Sequence, residues 1–233
     1  MAAIPLQHEV YYPERDGQPM GETGIHGKEI RELTMALELR YRDAPDVYVG
    51  SDMLMYYVQG DPTQFVCPDV FVTFGIPKEP LRRSYFFWKE GVPPTLVIEV
   101  TSDRRNDLEK RKLYARLGVR EYFIDDPLGE YLNPPLQGLR LVKGEYRPIE
   151  LAADGSLLSE VTGLRFRREG RWVRLIDAAT GERLLWSDER DQALEERDQA
   201  LEEKDQALQA ERAARLAAEE EIARLRRELE RRG

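Results

Sequence analysis

Residues 95–102, Thr95-Leu96-Val97-Ile98-Glu99-Val100-Thr101-Ser102, constrain this chain more than any other stretch. Five of the eight are β-branched, and Pro93-Pro94 ends whatever comes before. Such a run reads as a central, buried strand. Glu99 sits in its second half. A bare carboxylate there costs roughly several kcal/mol of desolvation, so something cationic has to stand opposite, either an Arg or Lys side chain or a metal ion.

Composition narrows the setting in which that cation is sought. At 233 residues and 41% hydrophobic content the chain is long enough for one sizeable domain plus an appendage. No apolar run approaches the ~20 residues of a membrane span. The first residues, Met1-Ala2-Ala3-Ile4-Pro5-Leu6, lack the basic and apolar regions of a signal peptide. A single cysteine, Cys67, excludes an internal disulfide and suits a reducing cytoplasm. With only His8 and His26, there is no Cys/His cluster for zinc. The net charge of −9 argues against a general nucleic-acid coat protein, but the charge is uneven. Residues 101–120 hold 7 basic and 3 acidic side chains, and residues 163–174 hold 5 arginines and 1 glutamate. Basic stripes on an acidic body are compatible with a phosphate-bearing substrate.

Around the central strand the periodicities alternate. Residues 1–22 are broken by prolines and glycines and read as an irregular N-terminal segment. Ile30, Leu33, Leu37 and Tyr41 mark an amphipathic helix from Thr23, its N-cap, to about Tyr41. Strands are expected at 46–49, 53–58 and 68–74, a helix at 104–117, a strand at 121–126, and hairpins at 139–149 and 164–175. Residues 23–186 therefore form an α/β (α+β) domain, a mixed β-sheet flanked by helices. At 187 the character changes. Residues 195–201 and 202–208 are a near-perfect seven-residue repeat, and 187–233 hold 15 acidic and 10 basic residues. Leu194, Leu201, Leu208, Ile222 and Leu229 share one register, but the companion positions Arg197, Lys204 and Glu211 are charged. The tail reads as a long helix with a half-formed coiled-coil seam, either a solvated single helix or an oligomerisation stalk.

Three residues line up for chemistry. Asp69 follows Pro68 at a strand start, Glu99 sits in the neighbouring strand, and Lys110 lies on the helix that follows. Two carboxylates at one sheet edge repel, and hard oxygen ligands select Mg²⁺ or Mn²⁺. A nearby lysine can orient or deprotonate a water, or neutralise charge on a scissile phosphate. Each residue also has a plainer alternative. Pro-Asp is a common turn and cap; Glu99 can pair with Arg104 or Lys110 in a structural ion pair; Lys110 can be an exposed helical lysine near Asp107. Glu22 and His26 are more often surface residues or caps. Tyr114, Tyr122 and Phe123 read as core, Cys67 as a buried small hydrophobe, and the arginines of 165–174 as the wet face of a hairpin.

The run Pro68-Asp69-Val70-Phe71-Val72, then Pro94 to Ser102 around Glu99, then Asp107 through Lys110, Tyr114 and Gly118 to Asp125 resembles the Uma-two family. These are restriction-endonuclease-like proteins of the PD-(D/E)XK nuclease superfamily, and the resemblance covers residues 10–180. It implies a restriction-endonuclease-like fold and an Mg²⁺- or Mn²⁺-dependent endonuclease acting on nucleic acid, DNA before RNA. It implies Asp69 and Glu99 as catalytic metal ligands, Lys110 as the catalytic lysine, and Glu22 as a third metal ligand. The superfamily pattern would place the lysine at position 101, where this chain has Thr101. His26, one turn after Glu22, could line the same edge. The expectation is a cytoplasmic endonuclease that dimerises through 187–233. Two alternatives stay open: a nuclease-fold binding protein without turnover that self-associates through its tail, and a metal-dependent hydrolase of another substrate.

Overall fold

The computed structural model describes residues 10–13, 23–101 and 104–232; the side chains of 102–108 lie outside the described set. The chain divides into two compact units, Met1–Trp186 and Ser187–Gly233. In the first, α1 (Gly24–Arg40) precedes β1 (Val47–Ser51), β2 (Met55–Tyr56), β3 (Phe65–Val66), β4 (Val70–Phe74), β5 (Tyr85–Phe86) and the short α2 (Phe87–Glu90). Then come β6 (Leu96–Val100), α3 (Arg104–Leu117), β7 (Glu121–Asp125), β8 (Leu136–Val142) and β9 (Glu145–Pro148). β10 (Leu157–Ser159), β11 (Leu164–Glu169) and β12 (Trp172–Asp177) complete the body.

β6, the strand carrying Glu99, is central in a six-stranded mixed sheet of order β1-β4-β6-β7-β8-β9. Its five residues are all buried. β6 and β7 run parallel, and α3 makes the crossover that a parallel pair requires. The period of two sorts the side chains between two layers. Val70 and Vals 72 and 100, with Leu96 and Ile98, face a core shared with Ile30, Leu33, Ala36 and Leu37 of α1. Phe71 and Val97 face the opposite core, where Tyr114 of α3 meets Tyr122 and Tyr85. The helices thus cover opposite faces of one sheet.

Local chemistry fixes the helix ends. Thr23 caps α1, its Oγ1 accepting from His26 N at 3.3 Å. α3 stops at Gly118, whose φ of +84° favours glycine, and the N–H of Val119 returns to the Tyr114 carbonyl at 3.0 Å. Gly138 has a different reason: a Cβ there would stand 2.9 Å from the Phe123 ring. That ring stacks on Phe166 with centroids 4.0 Å apart, joining the main sheet to a three-stranded sheet β10-β11-β12.

The structure departs from the sequence reading in several places, among them the short β3, β5 and α2, which that reading does not include. The strand expected over 53–58 is only the two residues of β2, in a small sheet of order β3-β2-β5. β10 adds a third strand to the 164–175 hairpin, too short at three residues to show a period. The arginines of 163–174 do not form an open basic stripe. The Arg168 side chain is only 19% exposed and reaches Asp125, while the Arg174 guanidinium lies 4.2 Å from the centroid of the Trp186 ring.

The second unit is α4 (Ser187–Arg232), 46 residues of helix. At 1.5 Å per residue it extends about 69 Å. Leu194, Leu201, Leu208, Ile222, Leu225 and Leu229 are all exposed along it. No described helix is long and apolar enough to cross a membrane.

Candidate active site

β4 and β6 pair antiparallel with Val70 opposite Ile98, so the next position outward places Asp69 across from Glu99. Both acids fall on the face that α3 covers, at the end of the sheet where β6 runs out. Asp69 accepts a hydrogen bond from Val100 N at 2.7 Å through Oδ2, which locks it to the neighbouring strand. Glu99 is 2% exposed, and both of its oxygens are engaged by α3. Lys110 Nζ donates to Oε2 at 2.6 Å and the Tyr114 hydroxyl donates to Oε1 at 2.7 Å. Residues 110 and 114 are one helical turn apart, so one face of α3 presents both donors. Lys110 also lies 3.4 Å from the Cys67 carbonyl, just before Pro68-Asp69.

The electrostatics follow from burial. Desolvation, reinforced by Asp69, pushes the Glu99 carboxyl up to about 8, although Lys110 and Tyr114 pull the other way. Burial alone would push the Lys110 ammonium down, but Glu99 and Asp69 outweigh it and hold it above the ordinary lysine range. Lys110 is therefore a fixed cation, unsuited to taking a proton from water. Tyr114 is driven well above the usual phenol range by burial and by Glu99, so it remains a donor. Burial also raises the Cys67 thiol to about 12, which removes it as a nucleophile. A cleft of about 460 Å³, lined in part by Tyr57, Phe65, Cys67, Lys110 and Arg116, opens onto the lysine from solvent.

α1 reaches the same end of the sheet from the other side. The His26 ring, in a residue 8% exposed, is hydrogen-bonded through Nε2 to the Val100 carbonyl oxygen. The same nitrogen lies 3.6 Å from Asp69 Oδ2. One turn further along α1, the fully buried Glu29 accepts from Val173 N at 2.8 Å. It faces Asp125 of β7, whose Oδ1 lies 3.3 Å from Arg168 Nη1. Burial, then the Asp125 carboxylate, pushes the Glu29 carboxyl upward; burial pushes Asp125 upward against the pull of Arg168. Two neighbouring buried carboxyls disfavour ionising together, which adds to the upward shift. Asp125 is linked to the site through its carbonyl, which accepts from Thr101 N at 2.7 Å.

The structure thus brings Asp69, Glu99 and Lys110 together and adds His26 beside Asp69. Glu22 lies outside the described residues, as do the side chains of Arg104 and Asp107. Position 101 holds a buried Thr101, and Lys110 occupies the space beside Glu99 from the helix instead. Tyr114, read from the sequence as core, is core and also a polar partner of Glu99; its four-residue spacing from Lys110 was the available signal. The Glu29–Asp125–Arg168 cluster carried no such signal, because its members are 96 and 43 residues apart.

Among the described residues, no group of three or more His, Cys, Asp or Glu side chains forms a ready-made metal cage. The donors present are two carboxylates opposite one another, with the Val100 carbonyl and His26 alongside. The two carboxylates and the carbonyl fit an ion such as Mg²⁺, which is commonly held by one or two carboxylates and completes its shell with water and substrate phosphate.

The family model Uma2, described as "Putative restriction endonuclease", matches residues 4–170. Comparison with curated proteins gives no match. Among solved structures, the chain is similar to a protein from Anabaena variabilis described as a putative nuclease belonging to DUF820. The two are 13% identical, with a TM-score of 0.45 over 66% of this chain and 86% of the other.

Proposed function

This chain belongs to the Uma2 family, described as putative restriction endonucleases, and from that premise we propose that it is a divalent-metal-dependent endonuclease. Its reaction is hydrolysis of phosphodiester bonds in nucleic acid, DNA before RNA. The observation that carries this reading is the convergence of Lys110 on Glu99, at 2.6 Å, directly beside Asp69. A structural ion pair needs one acid and one base. Here a second buried acid is added, and it leaves Glu99 under-compensated.

Asp69 and Glu99 would hold Mg²⁺ or Mn²⁺, which supplies Lewis-acid polarisation of a phosphoryl oxygen and an acidified water. The protein's own groups do the rest. Val100 N fixes the Asp69 carboxylate, and Tyr114 fixes Glu99, so neither acid reorganises when charge develops nearby. Lys110, held charged by the acids beside it and reached from the cleft, stabilises negative charge on the scissile phosphate and orients the attacking water.

The test is cleavage of plasmid DNA by the full chain with Mg²⁺ or Mn²⁺. Asp69→Asn and Glu99→Gln should each abolish cleavage, and Lys110→Met should lower it by about two orders of magnitude. Wild-type protein inert with both ions and on RNA as well would overturn the proposal. We also propose that residues 187–233 mediate self-association, which would let two sites address the two strands of a duplex. The exposed leucine register along α4 supports this.

A further inference from the structure

Two acids leave open positions around a divalent ion, and His26 stands beside one of those acids. Its Nε2 meets two oxygens from two other segments: the Val100 carbonyl of β6 and Asp69 Oδ2, ahead of β4 and 3.6 Å away. A carbonyl and a carboxylate are both acceptors, so the ring satisfies them only by carrying its proton on Nε2. A hydrogen held between an imidazole nitrogen, a carbonyl and a carboxylate occupies a position of strongly negative potential. Divalent cations bind to such donor sets by displacing that proton. Two donor atoms at right angles on one first-row ion lie about 3 Å apart, so Nε2 and Oδ2 are within a small adjustment of sharing one.

The location argues against a purely structural histidine. His26 is on the first turn of α1, which packs on the face of the sheet opposite α3, yet its ring reaches the sheet end where Asp69 and Glu99 meet. Satisfying the buried Val100 carbonyl needs one donor, but the same nitrogen also faces the Asp69 carboxylate. We infer that His26 is a direct ligand of the divalent ion, together with the Val100 carbonyl and Asp69. This deepens, and rests on, the metal-dependent reading above. It also assigns a preference. Imidazole is a good ligand for first-row transition ions and a poor one for Mg²⁺, so the site favours Mn²⁺ over Mg²⁺.

The test uses the full chain and Mn²⁺ itself as the probe. Because the sequence contains only two histidines, His8 and His26, the nitrogen signal can be assigned by substitution. Mn²⁺ titration followed by electron paramagnetic resonance gives the affinity. Pulsed measurement of the bound ion then reports a directly coordinated imidazole nitrogen. The expected result is nitrogen coupling in the wild type and in His8→Gln, absent in His26→Gln. The preference for Mn²⁺ over Mg²⁺, measured by competition, should fall roughly tenfold in His26→Gln. Mn²⁺ bound with no nitrogen coupling in the wild type would overturn the role of His26 and leave the metal-dependent reading standing. No binding of Mn²⁺ at millimolar concentration would overturn both. The wild-type and His8→Gln spectra decide the matter even if His26→Gln does not fold.

Discussion

Glu99 is the residue at which stability and the proposed activity oppose one another. Its carboxyl is raised from 4.5 to about 8 in the folded protein, first by burial and then by Asp69. The folded state therefore holds this proton more tightly than the unfolded chain. The resulting stabilisation is complete below the unfolded value and is lost as pH rises from about 4.5 through about 8. Glu99→Gln cannot ionise. Its melting temperature should match the wild type near pH 5 and exceed it progressively up to pH 8. A constant difference across that range would show that Glu99 is ionised throughout. Tyr114→Phe removes the donor to Glu99 Oε1 and leaves a buried acceptor unpaired. A loss of about 1–3 kcal/mol in denaturant unfolding is expected. The same variant should move the midpoint of the Glu99 transition upward, because a hydrogen bond that favours the ionised form is gone.

At the scale of elements, Arg168 ties two sheets together. Its guanidinium, on β11, lies 3.3 Å from Asp125 on β7 and donates to the Asp126 and Pro127 carbonyls at 2.5 and 3.2 Å. Glu29 brings α1 into the same cluster. Arg168→Met strands a buried carboxyl pair without its cation, a change that costs about 3–5 kcal/mol when the charge cannot escape. Here the charge has an escape by protonation, since burial already raises Asp125. Urea unfolding of this variant should therefore show a small loss at pH 6 and a large one at pH 8. An equal loss at both would mean that the arginine serves only through its carbonyl contacts. The small sheet of β2, β3 and β5 belongs to the same lesson. Its strands are two residues each, and aromatic contacts such as Tyr56 with Phe86, 5.5 Å apart and stacked, hold them more than any strand propensity does.

For the whole molecule, the chain divides into two compact units. The body, Met1–Trp186, contains the core clusters on both faces of the sheet. α4 exposes its leucines and is laced with local pairs such as Arg215–Glu219 at 3.1 Å and Arg224–Glu221 at 2.7 Å. Such exposed pairs contribute only about 0.3–0.5 kcal/mol each, so they support helicity without specifying a partner. Sedimentation equilibrium should show the full chain self-associating and a chain ending at Trp186 monomeric, with the truncated body keeping one cooperative melt. Association that survives the truncation would move the interface into the body.

What the amino-acid sequence determined by itself was whatever rests on local period and local contrast. Alternation marked β4, a β-branched apolar run marked β6, helical spacing marked α1 and α3, and the seven-residue repeat marked α4. A carboxylate inside an apolar strand marked Glu99, because burying an unpaired charge is costly wherever the strand lies. The four-residue step on α3 also makes Lys110 and Tyr114 neighbours before any fold is known. Tertiary structure alone decided which distant side chains share a space. It put His26 against Val100 and Asp69, closed Glu29, Asp125 and Arg168 into one cluster, and turned Arg174 from a solvent-facing residue into a partner of Trp186. Those contacts span from 12 to more than a hundred residues, and their energies depend on the burial that the assembled sheets and helices create. Neither separation nor burial is written in any local window of the chain.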